Sequence, residues 1–143
     1  MKKLGRKKVE DNLKKSLRLK FGLSELSLNQ IMLNKSLASF GDALVNFIYS
    51  LALSEKNLEL TGAKVKSQVL AEALKRVGLR KHLPNRSDRH SQGDAAEAFI
   101  AYAWLQDGFN LEEATTLIST HVDEPVEAFS KFLELIKKRL MMH

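Results

Sequence analysis

The sequence predicts an all-α protein, and three observations lead to that prediction. Leucine and alanine together number 37 against 12 valines and isoleucines, a composition that favours helices because unbranched side chains lose little freedom there. Apolar residues recur at helical spacing, and no stretch alternates apolar and polar residues as a half-buried strand does. Only two prolines interrupt the 143 residues. A chain of this length can bury a core without staples, so we expect one helical domain over residues 21–143 behind a basic arm or helix at residues 1–20.

The order of the predicted helices follows from apolar spacing and from residues typical of helix ends. The first helix spans residues 8–20, where Val9, Leu13 and Leu17 share one face and basic residues cover the rest. A short second helix has Ser24 as its candidate N-cap. This second helix is predicted over residues 24–34. The other helices are predicted over residues 35–55, 63–78, 94–106, 111–120 and 125–140, with a loop over residues 79–92.

The charge of the chain is uneven, and its pattern predicts a polyanionic partner. The formal net charge is +6 and the isoelectric point is about 9.6. Residues 1–20 carry +7 and residues 62–92 carry +6, whereas residues 21–61 carry −2 and residues 93–143 carry −5. Basic blocks of this kind are typical of proteins that bind nucleic acid.

Several classes of protein are excluded or disfavoured by composition. The absence of cysteine excludes a disulfide scaffold, a thiolate zinc site and a cysteine nucleophile, and it fits a reducing compartment. The apolar stretch over residues 37–53 contains Asp42, which makes it a poor membrane span. No apolar run of the kind found in secretory signals follows the basic N-terminus. We therefore expect a cytoplasmic protein without membrane contact.

Asp42 is the first candidate functional residue because it interrupts an apolar helix. Leu37, Phe40 and Leu44 fall on one side of that helix, and Asp42 falls on the other. Two interpretations remain open at this point. Asp42 lies on a solvated polar stripe, or the narrow stripe leaves its carboxylate partly desolvated and in need of a cation or a donor.

Asp94 and Glu97 form the second acidic feature. At positions i and i+3 of a helix they lie on one face, which makes half of a site for Mg²⁺, with Mn²⁺ as a substitute, since such cations prefer oxygen ligands. The same spacing also makes a capping box at a helix start, so both interpretations stay open. Gly41-Asp42 and Gly93-Asp94 both precede apolar helical runs. Glycine in a helix indicates close backbone approach, and two such helices side by side would bring the three carboxylates together.

Three segments resemble motifs of the ribonuclease III family, in order and spacing, over about residues 26–120. Residues 40–47 (Phe-Gly-Asp-Ala-Leu-Val-Asn-Phe) resemble the family's signature helix. Residues 70–79 resemble its connecting helix, and residues 93–108 resemble the second motif, which contains Asp-x-x-Glu-Ala. The resemblance implies an all-helical endonuclease domain that forms a homodimer and cleaves double-stranded RNA, leaving 5′-phosphate and 3′-hydroxyl ends, with a role in RNA processing.

By position, Asp42, Asp94 and Glu97 match the family's carboxylates, and the resemblance implies that they bind Mg²⁺ and are catalytic. The signature glutamate falls on Ala38, which cannot bind a metal, as is also true of the family's compact bacterial mini-ribonuclease III branch. Ser39, or a carboxylate from elsewhere, is a candidate to hold a water in its place. The chain also ends without room for the family's double-stranded-RNA-binding domain, which indicates a small single-domain member.

Two other functions fit the same residues. Ala38 favours a non-catalytic member that binds RNA or associates with the ribosome. The basic residues, taken without the resemblance, fit a helical DNA-binding module with phosphate contacts from Arg76, Arg80, Lys81, Arg86 and Arg89. Duplex RNA is recognised largely by shape, phosphates and 2′-hydroxyls, so its candidate contacts are chosen by charge alone. They are Lys64, Lys66, Arg80, Lys81, Arg86 and Arg89.

Overall fold

A computed structural model describes the backbone of residues 2–141 and the side chains of residues 9–141. That part of the chain contains helices and no strand, which confirms the all-α prediction. The basic side chains of the first eight residues lie outside the described part. The α-helices are α1 (Lys2–Phe21), α2 (Leu28–Met32), α3 (Lys35–Asn57), α4 (Ser67–Arg76), α5 (Arg89–Leu105), α6 (Leu111–Thr120) and α7 (Pro125–Met141), and Arg80–His82 form a 3₁₀ turn.

α5 is the central helix, and most of the other helices pack against it, while α6 packs against α3 and α7. α5 contacts α1, α2, α3, α4 and α7 along its length. Every residue from Ala95 to Ala103 is buried, and most of them are alanine. Small side chains allow neighbouring helices to approach from several directions, while Phe99 and Ile100 fill the remaining space. A functional side chain on α5 therefore starts from a rigid position.

The closest approach in the fold lies where α3 crosses α5. A Cβ atom added to Gly41 would overlap the backbone carbonyl of Glu97 and lie 3.1 Å from the Cβ of Glu97. Only glycine fits there, which confirms that this glycine permits close backbone approach. The crossing places Asp42, the next residue of α3, beside Glu97 of α5.

α1 is held on the C-terminal end of α5 by two of its own cations. Lys14 is buried, and its Nζ lies 2.8 Å from the carboxylate of Asp107 and 4.6 Å from the ring centroid of Trp104. Arg18 donates a hydrogen bond to the carbonyl of Leu105. These contacts use two of the basic charges within the protein, so they are not available to a polyanion.

α3 is the one described helix that is long and apolar enough to cross a membrane by length and composition. The core helix of a water-soluble domain meets the same criterion. In this fold α3 contributes Leu44, Val45 and Ile48 to the core and packs against α5 and α6. The expectation that the protein has no membrane contact stays a prediction.

Four helices begin elsewhere than the sequence pattern predicts. α1 begins at Lys2 rather than at residue 8, and α5 is described in the next paragraph. α2 begins after Ser27 rather than Ser24: the Ser27 hydroxyl accepts from the Gln30 N–H at 3.2 Å, and the Gln30 side chain accepts from the Ser27 N–H at 2.8 Å. α4 begins at Ser67 rather than at residue 63, because residues 60–66 are extended. The predicted pattern for that helix was correct only from its second turn onward.

The start of α5 is the correction that matters most for function. This helix begins at Arg89, not at residue 94, because the Asp88 carboxylate caps it and accepts from the Ser91 N–H at 2.8 Å. Asp94 lies in the second turn, where backbone N–H groups already have helical partners. The capping interpretation of Asp94 and Glu97 is therefore wrong, and both carboxylates are free for another role.

A candidate active-site cleft between α3 and α5

All three predicted carboxylates line one cleft of about 560 Å³. α3 forms one wall, α5 forms the other, and the extended segment before α4 closes one side. The side chains that line the cleft include Ala38, Ser39, Asp42, Lys64, His90, Asp94 and Glu97. The two glycine–aspartate helices thus lie side by side, as expected, and their three carboxylates line the same cleft.

Glu97 is the buried member of the group, with 7% of its surface exposed. Burial, hydrogen bonding with Asp42 and the charges of Asp42 and Asp94 raise the pKa of Glu97 to about 8, and the charge of Lys64 opposes this rise. Each of the first three causes disfavours the ionised form, because a buried carboxylate beside other carboxylates lacks compensation. Without a bound cation, Glu97 therefore holds a proton at neutral pH.

Asp42 is exposed and lies on the polar stripe of α3 that the sequence predicts. Its Oδ1 accepts a hydrogen bond from Nδ2 of Asn46 at 3.1 Å, one helical turn later. The Oδ1 atom of the same asparagine accepts from the backbone N–H of Val65 at 2.8 Å. The exposed position of Asp42 fits the solvated interpretation rather than the desolvated one, although Asn46 supplies a donor as well.

Asp94 is half-buried and faces a residue that the sequence interpretation missed. The Nε2 atom of His90 lies 3.8 Å from Oδ2 of Asp94 at i,i+4 spacing. Both side chains line the cleft. The i,i+4 spacing is present in the sequence, but the pattern predicts a loop over residues 79–92, which separates His90 from the helix that carries Asp94.

The donor chemistry of the cleft suits a hard divalent cation. All three acidic side chains offer carboxylate oxygens, the ligands that Mg²⁺ and Mn²⁺ prefer. Burial is the largest cause of the raised pKa of Glu97, and the charges of Asp42 and Asp94 add to it, so a nearby cation would favour the ionised form. Over residues 9–141, no three His, Asp or Glu side chains lie close enough together to hold a metal ion as a group. The three carboxylates therefore share a cleft without being close enough together to form one group.

Ala38 lines the cleft one turn before Asp42. Its methyl group offers no ligand at the position where the resemblance implies a glutamate. Ser39 also lines the cleft and brings a hydroxyl group to the same end of α3. The departure from the family pattern is therefore located within the cleft itself.

The basic residues predicted to contact RNA divide into two groups. Lys64 lines the cleft, and the exposed Lys66 directly precedes α4. Arg80 and Lys81 belong to the 3₁₀ turn and line a separate depression, beside the exposed Arg86. Arg89 is exposed at the start of α5 and stands apart from both groups. Arg76, a predicted contact only for a DNA-binding module, pairs with Glu72 and Glu127 at 3.8 and 3.5 Å.

Comparison with known proteins identifies one family. A family model described as Ribonuclease III matches residues 35–142, which include α3 to α7 and all three carboxylates of the cleft. No curated protein matches the chain. α1 and α2 lie before the matched residues.

Proposed function

The chain belongs to the ribonuclease III family, and from that premise we propose that it is a divalent-metal-dependent endoribonuclease that cleaves double-stranded RNA. The observation that carries the proposal is the shared cleft of Asp42, Asp94 and Glu97, with Glu97 buried at the crossing of two helices. A buried carboxylate with a raised pKa in a cleft is typical of a functional site. We propose a role in RNA processing and a cytoplasmic location on the same premise.

Asp42, Asp94 and Glu97 would hold Mg²⁺, or Mn²⁺ in its place. When bound, such an ion activates water and stabilises charge on a phosphodiester. Glu97 must lose its proton to become a ligand, and a cation would favour that loss. Attack of water on phosphorus forms one P–O bond and breaks the bond to the 3′ oxygen, which takes a proton. The products are then a 5′-phosphate and a 3′-hydroxyl.

RNA binding is supported by the position of the basic residues. Lys64 stands at the cleft, where its ammonium can meet a phosphate next to the carboxylates. The exposed cations around the 3₁₀ turn are suited to phosphates farther along a duplex. Contacts of this kind neutralise phosphate charge, so binding should depend strongly on salt. They carry no sequence information.

A homodimer is proposed from the exposed apolar face of α3. Phe40 and Phe47 lie two turns apart on this helix and remain 42% and 51% exposed. Phe40 also packs against Trp104 at a ring-centroid distance of 6.0 Å. Aromatic side chains exposed in this way are typical of interfaces. Two copies joined there would present two clefts to one duplex and make a staggered cut.

A non-catalytic member of the family is the alternative function. Ala38 lies in the cleft without a ligand group, and the three carboxylates are not drawn together as a metal-binding group in the described residues. Such a protein would bind duplex RNA in a salt-sensitive manner without cleaving it. Substitution of Asp42 would then leave binding unchanged.

Cleavage of duplex RNA in Mg²⁺ by wild type, Asp94→Asn and the control Asp123→Asn tests the proposal. Asp123 is exposed outside the cleft, and among the described side chains it pairs with Lys56 alone, at 3.5 Å. We expect Asp94→Asn to lower the cleavage rate on the order of 100-fold or more, and Asp123→Asn to cleave like wild type. A wild type that cleaves no faster than Asp94→Asn would overturn the enzyme proposal and favour the alternative.

A further inference from the structure

The extended segment before α4 is attached to α3 by a regular series of side-chain hydrogen bonds. We call residues 60–66 the strap. Ser54 Oγ accepts from the N–H of Thr61 at 2.7 Å, and Ser50 Oγ accepts from the N–H of Ala63 at 2.9 Å. The third bond joins Oδ1 of Asn46 to the N–H of Val65 at 2.8 Å. The helix residues are four apart, whereas the strap residues are two apart.

This register follows from the two backbone geometries. Four residues of an α-helix advance about 6 Å, and two residues of an extended chain advance about 6.6 Å. Asn46, Ser50 and Ser54 can therefore each meet every second residue of the strap. Burial alternates along the strap: the bonded residues Thr61, Ala63 and Val65 are half-buried, whereas the residues that follow each of them are exposed. Lys64 is one of these, and it lines the cleft.

The same stripe of α3 continues one turn back to Asp42. Asn46 differs from the two serines because it bonds to two parts of the protein. Each serine both accepts from and donates to a single strap residue, with Ser50 Oγ donating to the Ala63 carbonyl at 3.2 Å and Ser54 Oγ donating to the Thr61 carbonyl at 3.3 Å. Its Oδ1 accepts from the strap, and its Nδ2 donates to Asp42 at 3.1 Å. One planar amide thus fixes the distance between the strap and a carboxylate of the cleft. Ser50 and Ser54 hold the strap without any contact to the carboxylates.

We propose that Asn46 is a positioning residue of the cleft, which orients Asp42 and holds the strap so that Lys64 faces the phosphate to be cleaved. The inference rests on the proposed function and names an element of its machinery that the family resemblance does not supply. Loss of Asn46 should weaken the orientation of Asp42 and of Lys64 together. Loss of a serine should loosen the strap alone.

The experiment compares Asn46→Ala with the control Ser54→Ala, each as the full chain. Both remove a bond from α3 to the strap, and both place alanine, a good helix former, within α3. We expect Asn46→Ala to lower kcat by about 10- to 100-fold with little change in KM, as for the supports of metal ligands. Ser54→Ala should keep kcat within about threefold of wild type. Hydrogen exchange at the Val65 and Thr61 amides would confirm that each bond is lost.

A second readout does not depend on cleavage. Titration of each protein with Mn²⁺ alone measures how well the carboxylates are oriented, and Asn46→Ala should bind it about tenfold more weakly than Ser54→Ala does. Asn46→Asp is the second variant, because it keeps an acceptor for the Val65 N–H and loses the donor to Asp42. In Asn46→Asp the Val65 amide should stay protected from hydrogen exchange, while kcat should fall as it does in Asn46→Ala.

The outcomes separate the two proposals. If wild type cleaves RNA and the Asn46 variants match Ser54→Ala in kcat and Mn²⁺ affinity, Asn46 is structural and this inference is wrong. If wild type binds Mn²⁺ without cleaving RNA, the proposed function is wrong, and weaker Mn²⁺ binding by Asn46→Ala still supports the orienting of Asp42. A wild type that neither cleaves RNA nor binds Mn²⁺ overturns both.

Discussion

The two glycine–aspartate pairs look alike in the sequence, but they stand in different surroundings. Gly41 lies at the crossing of α3 and α5, where any Cβ would overlap the backbone of Glu97. Gly93 lies near the start of α5, where a Cβ would meet Ser67 atoms at 3.1 to 3.3 Å. The first glycine is required by a backbone contact, and the second lies in a tight contact that a small shift can relieve. One dipeptide therefore has two structural roles, although both aspartates line the same cleft.

The largest expected effect tests this difference directly. Gly41→Ala should lower the free energy of unfolding by about 3 kcal/mol, because α3 and α5 must move apart to accept the methyl group. Gly93→Ala should change it by less than about 1 kcal/mol, since the gain of about 1 kcal/mol in helix propensity offsets a small displacement of Ser67. Urea denaturation of the two variants measures both values. Equal losses would show that the two helix contacts are equally close.

The next prediction compares how strongly each aspartate raises the pKa of Glu97. Asp42 acts on the pKa of Glu97 through hydrogen bonding and charge, whereas Asp94 acts through charge alone. Asp42→Asn should therefore lower this pKa more than Asp94→Asn does. NMR titration of the Glu97 carboxyl group in the absence of divalent cations measures each shift.

The same pKa makes stability depend on pH in a defined direction. Folded Glu97 keeps its proton until about pH 8, whereas the unfolded chain loses it near the usual value of 4.5. The unfolded state thus binds fewer protons between these values, so the free energy of unfolding should fall as pH rises through this window, by about a few kcal/mol at most. Glu97→Gln should remove the fall. A wild type whose stability is level from pH 5 to 8 would contradict the buried, protonated state.

Much of this molecule could be predicted from local sequence signals. The helical class, the long α3 and the shared cleft followed from composition, apolar spacing and the glycine–aspartate pairs. The start of α5 was missed because several residues around Asp88 can cap a helix, and only the tertiary structure selects one. The strap was missed because an extended segment bonded to helix side chains has no period of its own. His90 was missed along with the α5 boundary.

The smallest expected effect on stability comes from replacing His90. Each aspartate has a polar neighbour one helical turn away, Asn46 for Asp42 and His90 for Asp94. Asp42 accepts a bond from Asn46 at 3.1 Å, whereas Asp94 faces His90 at 3.8 Å, and the His90 side chain is 78% exposed. A solvent-exposed ion pair at i,i+4 contributes little, so His90→Ala should change the free energy of unfolding by less than about 0.5 kcal/mol. Thermal denaturation of the variant at pH 6, with wild type in parallel, measures this.

Asn46→Ala provides the contrast for that measurement. It removes two hydrogen bonds, one of them to a charged acceptor, and should lower the free energy of unfolding by about 2 kcal/mol. If His90→Ala lowered stability as much, the His90–Asp94 pair would have to be shielded from water despite its exposure. The two aspartates would then be supported equally, and the difference between their surroundings would be confined to the glycines that precede them.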